Sequence, residues 1–186
     1  TYAASSIAPT NAGTYTVTAT VASTGNYASA SSSATEFTIE AATPVVTSIV
    51  GSYTYNGSPQ GPNAATNTGT GTSYTFSYEG TGSTTYAASS IAPTNAGTYT
   101  VTATVEATVN YASASSSATA FTIEAATPVV TSTVGSYTYN GSSQGPNAAT
   151  NSGIGTSYTF IYEGTGSTTY AASSIAPTNV GTYTVT

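Results

Sequence analysis

The amino-acid sequence predicts an all-β protein made of sandwich modules that repeat every 84 residues. Three observations point there: a long internal repeat, strands written as strict alternation, and a composition rich in β-formers. The segment TYAASSIAPT at Thr1 returns at Thr85 and at Thr169. Residues 1–84 and 85–168 differ at nine positions: Ala22/Glu106, Ser23/Ala107, Gly25/Val109, Glu36/Ala120, Ile49/Thr133, Pro59/Ser143, Thr68/Ser152, Thr70/Ile154 and Ser77/Ile161. Such a period exceeds the roughly 20–50 residues of solenoid coils and propeller blades. It approaches the size of one small sandwich domain, about 100 residues. Each repeat is therefore expected to fold as its own domain.

The phase of the repeat is set by Ala41-Ala42-Thr43-Pro44 and its copy at 125–128. Small residues followed by Pro read as a short linker, because Pro cannot continue a ladder. Residues 43–126 are then one complete repeat. Residues 1–42 are the C-terminal part of the repeat before it, and 127–186 the N-terminal part of the next. The absence of a starting Met and of a leader segment suggests an internal piece of a longer chain.

Within one repeat, Val45–Val50 and Ser52–Tyr55 read as two strands or one bent one. Tyr55-Asn56-Gly57-Ser58 carries the Asn-Gly pair favoured in type I′ hairpin turns, and Asn140-Gly141 repeats it. The pattern also fits a glycosylation acceptor, but the turn explains it more simply. Asn67–Gly71 reads as a loop. Ser73–Tyr78 places Tyr74, Phe76 and Tyr78 on one face of a strand. Tyr86–Ser90 is a weaker strand. Gly97–Val105 is the clearest, with Tyr99, Val101, Ala103 and Val105 alternating with Thr98, Thr100, Thr102 and Thr104. Ala118–Glu124 does the same with Phe121 and Ile123. Six to eight short strands per repeat are expected.

One local pattern is more specific. Asn95-Ala-Gly-Thr-Tyr99-Thr-Val101 resembles the tyrosine corner of immunoglobulin-like (Ig-like) domains, in which a Tyr hydroxyl near the start of strand F bonds upstream backbone. Tyr15 and Tyr183 repeat it. The alternative is an ordinary core aromatic on an alternating strand.

Composition excludes several function classes. The chain has no Lys, Arg, His, Cys, Met or Trp, and its six acids are Glu36, Glu40, Glu79, Glu106, Glu124 and Glu163, for a net charge of −6. Without cations it cannot neutralise nucleic-acid phosphates or dock electrostatically on anionic lipid. No apolar run reaches the roughly 20 residues of a membrane-spanning helix. Disulfides and Lys–Asn isopeptide links are excluded too. Yet 16 Tyr and four Phe, with many Val and Thr, argue for folded strands rather than disorder.

Chemistry is scarce. Glu36 and Glu40 could pair as glycosidase carboxylates, but Glu36 is Ala120 in the next copy, so no catalytic residue is expected. Strong calcium sites want several carboxylates at short spacing, so no metal or cofactor is expected either. Thr-x-Thr arrays such as Thr98–Thr104 occur on ice-binding faces; the solvent face of a strand is the simpler reading. Exposed Tyr rings, with Tyr53 and Tyr86 as candidates, could stack on sugars.

Tyr55-Asn56-Gly57, Ala92–Val101, Asn110-Tyr111 and Ala120–Ile123 resemble bacterial Ig-like repeats of the MBG or YDG type. The resemblance covers the whole repeat and all copies. It implies an Ig-like sandwich in an exported, cell-surface protein, such as the very large adhesins of gliding bacteria. The family often has Asp where this chain has Asn56 and Asn95, and Lys where it has Glu124, which weakens any calcium or charge-pair role in those loops. The leading expectation is a structural stalk whose partners are neighbouring repeats. One alternative makes the repeats weak multivalent modules for glycans or abiotic surfaces. A second makes them a self-assembling fibre, since Thr98–Val105 is uncharged, Pro-free and strongly β-prone.

Overall fold

The computed structural model describes residues 2–186. It divides into two compact units, Thr1–Ala125 and Ala126–Thr186. Among the described residues every regular element is a strand, so the fold is all-β.

The first unit begins with β1 (Gly13–Val17), β2 (Thr20–Val21), β3 (Ala30–Ser31) and β4 (Thr35–Ile39). β1 runs antiparallel to β4, from Gly13 opposite Ile39 to Val17 opposite Thr35, and β2 pairs with β3. Residues 43–126, the complete repeat expected from the sequence, follow with seven strands: β5 (Val46–Ile49), β6 (Tyr53–Thr54), β7 (Ala64–Asn67), β8 (Tyr74–Gly80), β9 (Gly97–Val105), β10 (Ala114–Ser115) and β11 (Thr119–Glu124).

β9 is the central strand. β8 pairs with one edge from Tyr74 opposite Val105 to Gly80 opposite Tyr99. β11 and β10 pair with the other edge. β6 then adds to β11 in parallel, with Ile123 opposite Tyr53. A second, two-stranded sheet of β5 and β7 packs on this one through Val46, which touches Ala103 and Val105. The segment 45–55 is therefore bent: its first half joins one sheet and its second half the other. That division of the first strand between two facing sheets is a sandwich arrangement.

The alternation of β9 explains its burial. Tyr99, Val101, Ala103 and Val105 lie in the core and the intervening Thr residues on the opposite, partly exposed face. On β11, Phe121 and Ile123 meet them. The Phe121 ring stacks on Tyr99 with centroids 5.4 Å apart and meets the edges of Tyr53 and Tyr78 at 5.7 and 6.2 Å. Such aromatic pairs add about 0.5–1.5 kcal/mol each beyond area burial. One polar bridge crosses the sandwich: buried Ser48 of β5 lies 3.0 Å from Ser116 Oγ, which accepts the Ala103 N–H at 3.0 Å.

Two elements differ from the sequence expectation. β7 falls on Ala64–Asn67, a stretch of small residues with no large apolar side chain to mark it. Tyr86–Ser90 is not a strand; Ser89 makes an isolated bridge to Tyr78, and the Tyr86 carbonyl accepts the Gly80 N–H at 2.9 Å. The Ser89 hydroxyl accepts the Ile91 N–H at 3.0 Å, and the Tyr86 hydroxyl donates to the Ile91 carbonyl at 2.7 Å. Local side-chain bonds of this kind compete with a ladder.

The second unit contains β12 (Val130–Thr133) paired with β13 (Ala148–Asn151), and β14 (Tyr162–Gly164) paired with β15 (Tyr183–Val185). These lie 84 residues after β5, β7, β8 and β9.

Val101 is 0 % exposed, whereas Val17, in the same GTYTV strand, is 54 % exposed. Phe121 is 5 % exposed and its counterpart Phe37 is 37 %. Within residues 2–42 no strand flanks β1 as β8 flanks β9. Phe121→Ala is accordingly expected to cost about 3–5 kcal/mol, the range for a buried Phe. The loss is read by urea denaturation of the whole chain.

Candidate functional site

The residues singled out by the sequence act on backbone conformation. Tyr99 Oη donates to the Asn95 carbonyl at 2.7 Å. Tyr15 and Tyr183 make the same bond to Asn11 and Asn179, each at 2.8 Å. Each closes the loop that leads into its strand, as a tyrosine corner does. A second tyrosine completes each corner without having been expected there. Tyr2, Tyr86 and Tyr170 meet Tyr15, Tyr99 and Tyr183 edge-on at 5.7, 5.9 and 5.7 Å. Their own hydroxyls donate to Ile7, Ile91 and Ile175 at 2.6, 2.7 and 2.6 Å. The constant 13-residue spacing within each pair was the available signal.

The Asn-Gly turns differ from a type I′ hairpin. That turn needs positive φ at both central residues. Here only Gly57 (80°) and Gly141 (77°) have it, while Asn56 and Asn140 do not. The Asn56 side-chain oxygen accepts the Ser58 N–H at 2.9 Å, and Asn140 does the same for Ser142. An Asn side chain that caps its own turn in this way leaves only the Gly to enter the left-handed region. No strand returns along β6 after the turn. Instead the Gln60 side chain donates to the Thr54 carbonyl at 2.8 Å, and the Gln60 N–H bonds to Pro93.

Other candidates disperse. Tyr53 and Tyr86 are half-buried against the core; the exposed ring of the complete repeat is Tyr55, at the Asn-Gly turn. Glu36 and Glu40 are exposed. Among the described residues no three His, Cys, Asp or Glu side chains come together. Thr98–Val105 has both backbone edges paired within its own sheet, so it offers no free edge for cross-β stacking.

A groove of about 530 Å³ lies in the second unit, lined by Tyr137, Tyr139, Tyr162, Tyr183 and Val185. Their counterparts 84 residues earlier are Tyr53, Tyr55, Tyr78, Tyr99 and Val101, the surroundings of β11 in the complete repeat. The groove thus has the lining of a strand seat rather than of a small-molecule site.

Two phenols are perturbed. Burial raises Tyr78 above the ordinary value of 10.0, with Tyr53 and Tyr86 adding to it. Burial likewise raises Tyr99, again with a contribution from Tyr86. Both are also hydrogen-bond donors, Tyr78 to the Pro62 carbonyl at 2.7 Å.

Fold and side chains together define an all-β module whose distinctive residues shape its own backbone. The chain matches the MBG domain over residues 1–43, 46–127 and 129–186 and belongs to that family. MBG domains are non-catalytic, adhesin-type modules of extracellular surface proteins. No curated protein and no solved structure was found similar to the chain.

Removing the corner hydroxyl with Tyr99→Phe should cost about 1 kcal/mol, the worth of one intramolecular hydrogen bond, in chemical denaturation. The raised phenols give a pH dependence. The unfolded chain ionises first, so stability is full below pH 10 and falls as pH rises further. Thermal melts across that range should fall more gently for the Tyr78→Phe, Tyr99→Phe double variant, measured relative to its own melting point at neutral pH.

Proposed function

We propose that these repeats are the structural stalk of a bacterial cell-surface adhesin and are not enzymatic. Each repeat would add length between the cell and a binding or contact region elsewhere in the parent protein. One observation carries this reading: the chain enters and leaves the complete repeat at opposite ends of β9. Ala42 pairs with Tyr111, beyond the Val105 end, where Ala114 lies opposite Val105. At the other end Ile123 lies opposite Gly97, and Glu124 accepts the Tyr55 N–H. Domain termini often lie close together, which folds a chain back on itself. Here nine residues of strand separate them, roughly 30 Å at about 3.4 Å per residue. Each added repeat therefore extends the chain.

The surface fits an inert spacer. It is rich in Thr, Ser and Asn with a few exposed apolar side chains such as Val45, Ile91 and Val109, carries no cation, and draws its sparse charge from Glu alone. Cross-strand hydroxyl pairs such as Thr104 with Ser115, 2.7 Å apart, satisfy it internally. Near-identical copies suit a spacer, which needs number more than variety.

A second reading rests on Tyr55 and its counterpart Tyr139, 43 % and 62 % exposed beside their turns. One such ring per repeat could stack on a sugar weakly, and repetition would supply avidity.

Chains of one, two and four repeats separate the two. For a stalk, the maximum dimension in small-angle scattering grows by roughly 30 Å or more per repeat. Glycan arrays and coated beads then retain no chain at any length. Retention that climbs steeply with repeat number, and is lost in Tyr55→Ala, would transfer the adhesive role to the repeats.

A further inference from the structure

The contact between residues 2–42 and the complete repeat centres on one side chain, Asn110. Its Oδ1 accepts the Ala12 backbone N–H at 2.8 Å, and its Nδ2 donates to Asn11 Oδ1 at 3.0 Å. Its backbone carbonyl accepts the Ala42 N–H at 2.9 Å, and the Ala42 carbonyl accepts the Ala112 N–H at 2.8 Å. Linker residue Ala42 thereby pairs with Tyr111 as a short piece of parallel sheet.

Both halves of this contact are anchored in their own repeat. On the earlier side, Asn11 is the residue whose carbonyl the Tyr15 hydroxyl holds. The corner fixes the backbone, so the Asn11 side chain and the Ala12 N–H face outward in a set direction. On the later side, the Tyr111 carbonyl accepts the Thr108 N–H at 2.8 Å. The Tyr111 ring lies so close over Gly69 that a Cβ there would come within 2.9 Å of it. A planar amide that both donates and accepts, held between two anchored loops, admits one relative orientation.

We infer that this contact is a lock that recurs at each boundary. The tyrosine corner at the exit end of one repeat is a docking surface whose partner is the Asn-Tyr loop at the near end of the following repeat. The groups recur with the 84-residue period: Asn95-Ala96 and Asn179-Val180 at the corner, Asn26-Tyr27 at the loop, and Ala126 in the linker. The change to Val180 is compatible because the corner contributes a backbone N–H at that position. None of the nine differences between residues 1–84 and 85–168 touches Asn11, Ala12, Asn26, Tyr27 or Ala42, although three fall at 22, 23 and 25 in the adjoining loop. The lock deepens the stalk reading by making the joints stiff, yet it stands or falls separately. A stalk with loose joints would still retain no ligand, and locked joints would persist in repeats that bound glycans.

Hydrogen exchange by NMR on the whole chain tests the lock. The Ala12 and Ala42 amides should be protected in the native protein. Asn110→Ala should speed Ala12 exchange about tenfold or more, the worth of a hydrogen bond of about 1.4 kcal/mol, while Val101 and Val105 amides in β9 stay unchanged. Asn11→Ala removes no bond within residues 43–125, so it serves if Asn110→Ala disturbs that fold. Residual dipolar couplings from residues 13–39 and 43–125 should fit one alignment tensor in the native chain and two in either variant. An Ala12 amide that exchanges freely in the native chain, or one unaffected by both substitutions, would overturn the lock.

Discussion

Everything in the complete repeat depends on covering one face of β9. Tyr99, Val101, Ala103 and Val105 project to the same side, and a strand with that face in water would not persist. β8 and β11 satisfy its two backbone edges, and β5 supplies the opposing layer through Val46. Phe121 then fills the space between the tyrosines at one end of the core, and Phe76 packs against both ends.

The fold is held without ion pairs because the sequence contains no cationic side chain. Hydroxyls and amides take over the tasks that charges perform elsewhere. Tyrosine hydroxyls tie loops to strand ends, Asn side chains cap turns, and Ser48 and Ser116 bridge the two sheets. Among the described residues no buried side-chain polar atom lacks a partner. Such bonds are short-ranged and weakly sensitive to salt.

The same tyrosine corner links the interior to the assembly of repeats. Its hydroxyl bond shapes the loop before the strand, and the shaped loop presents Asn11 to the neighbouring repeat. The chain enters the repeat at one end of β9 and leaves at the other, and under the proposed stalk function end-to-end contact would extend the molecule.

The sequence by itself determined the all-β class, the 84-residue period, the three alternating strands 74–80, 97–105 and 119–124 to within a few residues, and the positions of the corner tyrosines. Those features are legible because period-2 alternation and the Asn-x-Gly-x-Tyr spacing are local. The weak strand β7, the single bridge at Ser89 and the turn at Asn56-Gly57 were not legible, because each is settled by what lies opposite it. Ala64–Asn67 is a strand only because β5 needs a partner, and Gly57 alone takes positive φ because Asn56 caps the turn and β6 is claimed by β11. Asn110 is marked in the sequence only as part of the Asn110-Tyr111 motif, and nothing local assigns it a partner. Only the tertiary structure places it against Asn11 and Ala12, 99 and 98 residues away in the chain, since a contact between repeats is decided by how their ends meet and not by either segment's own pattern.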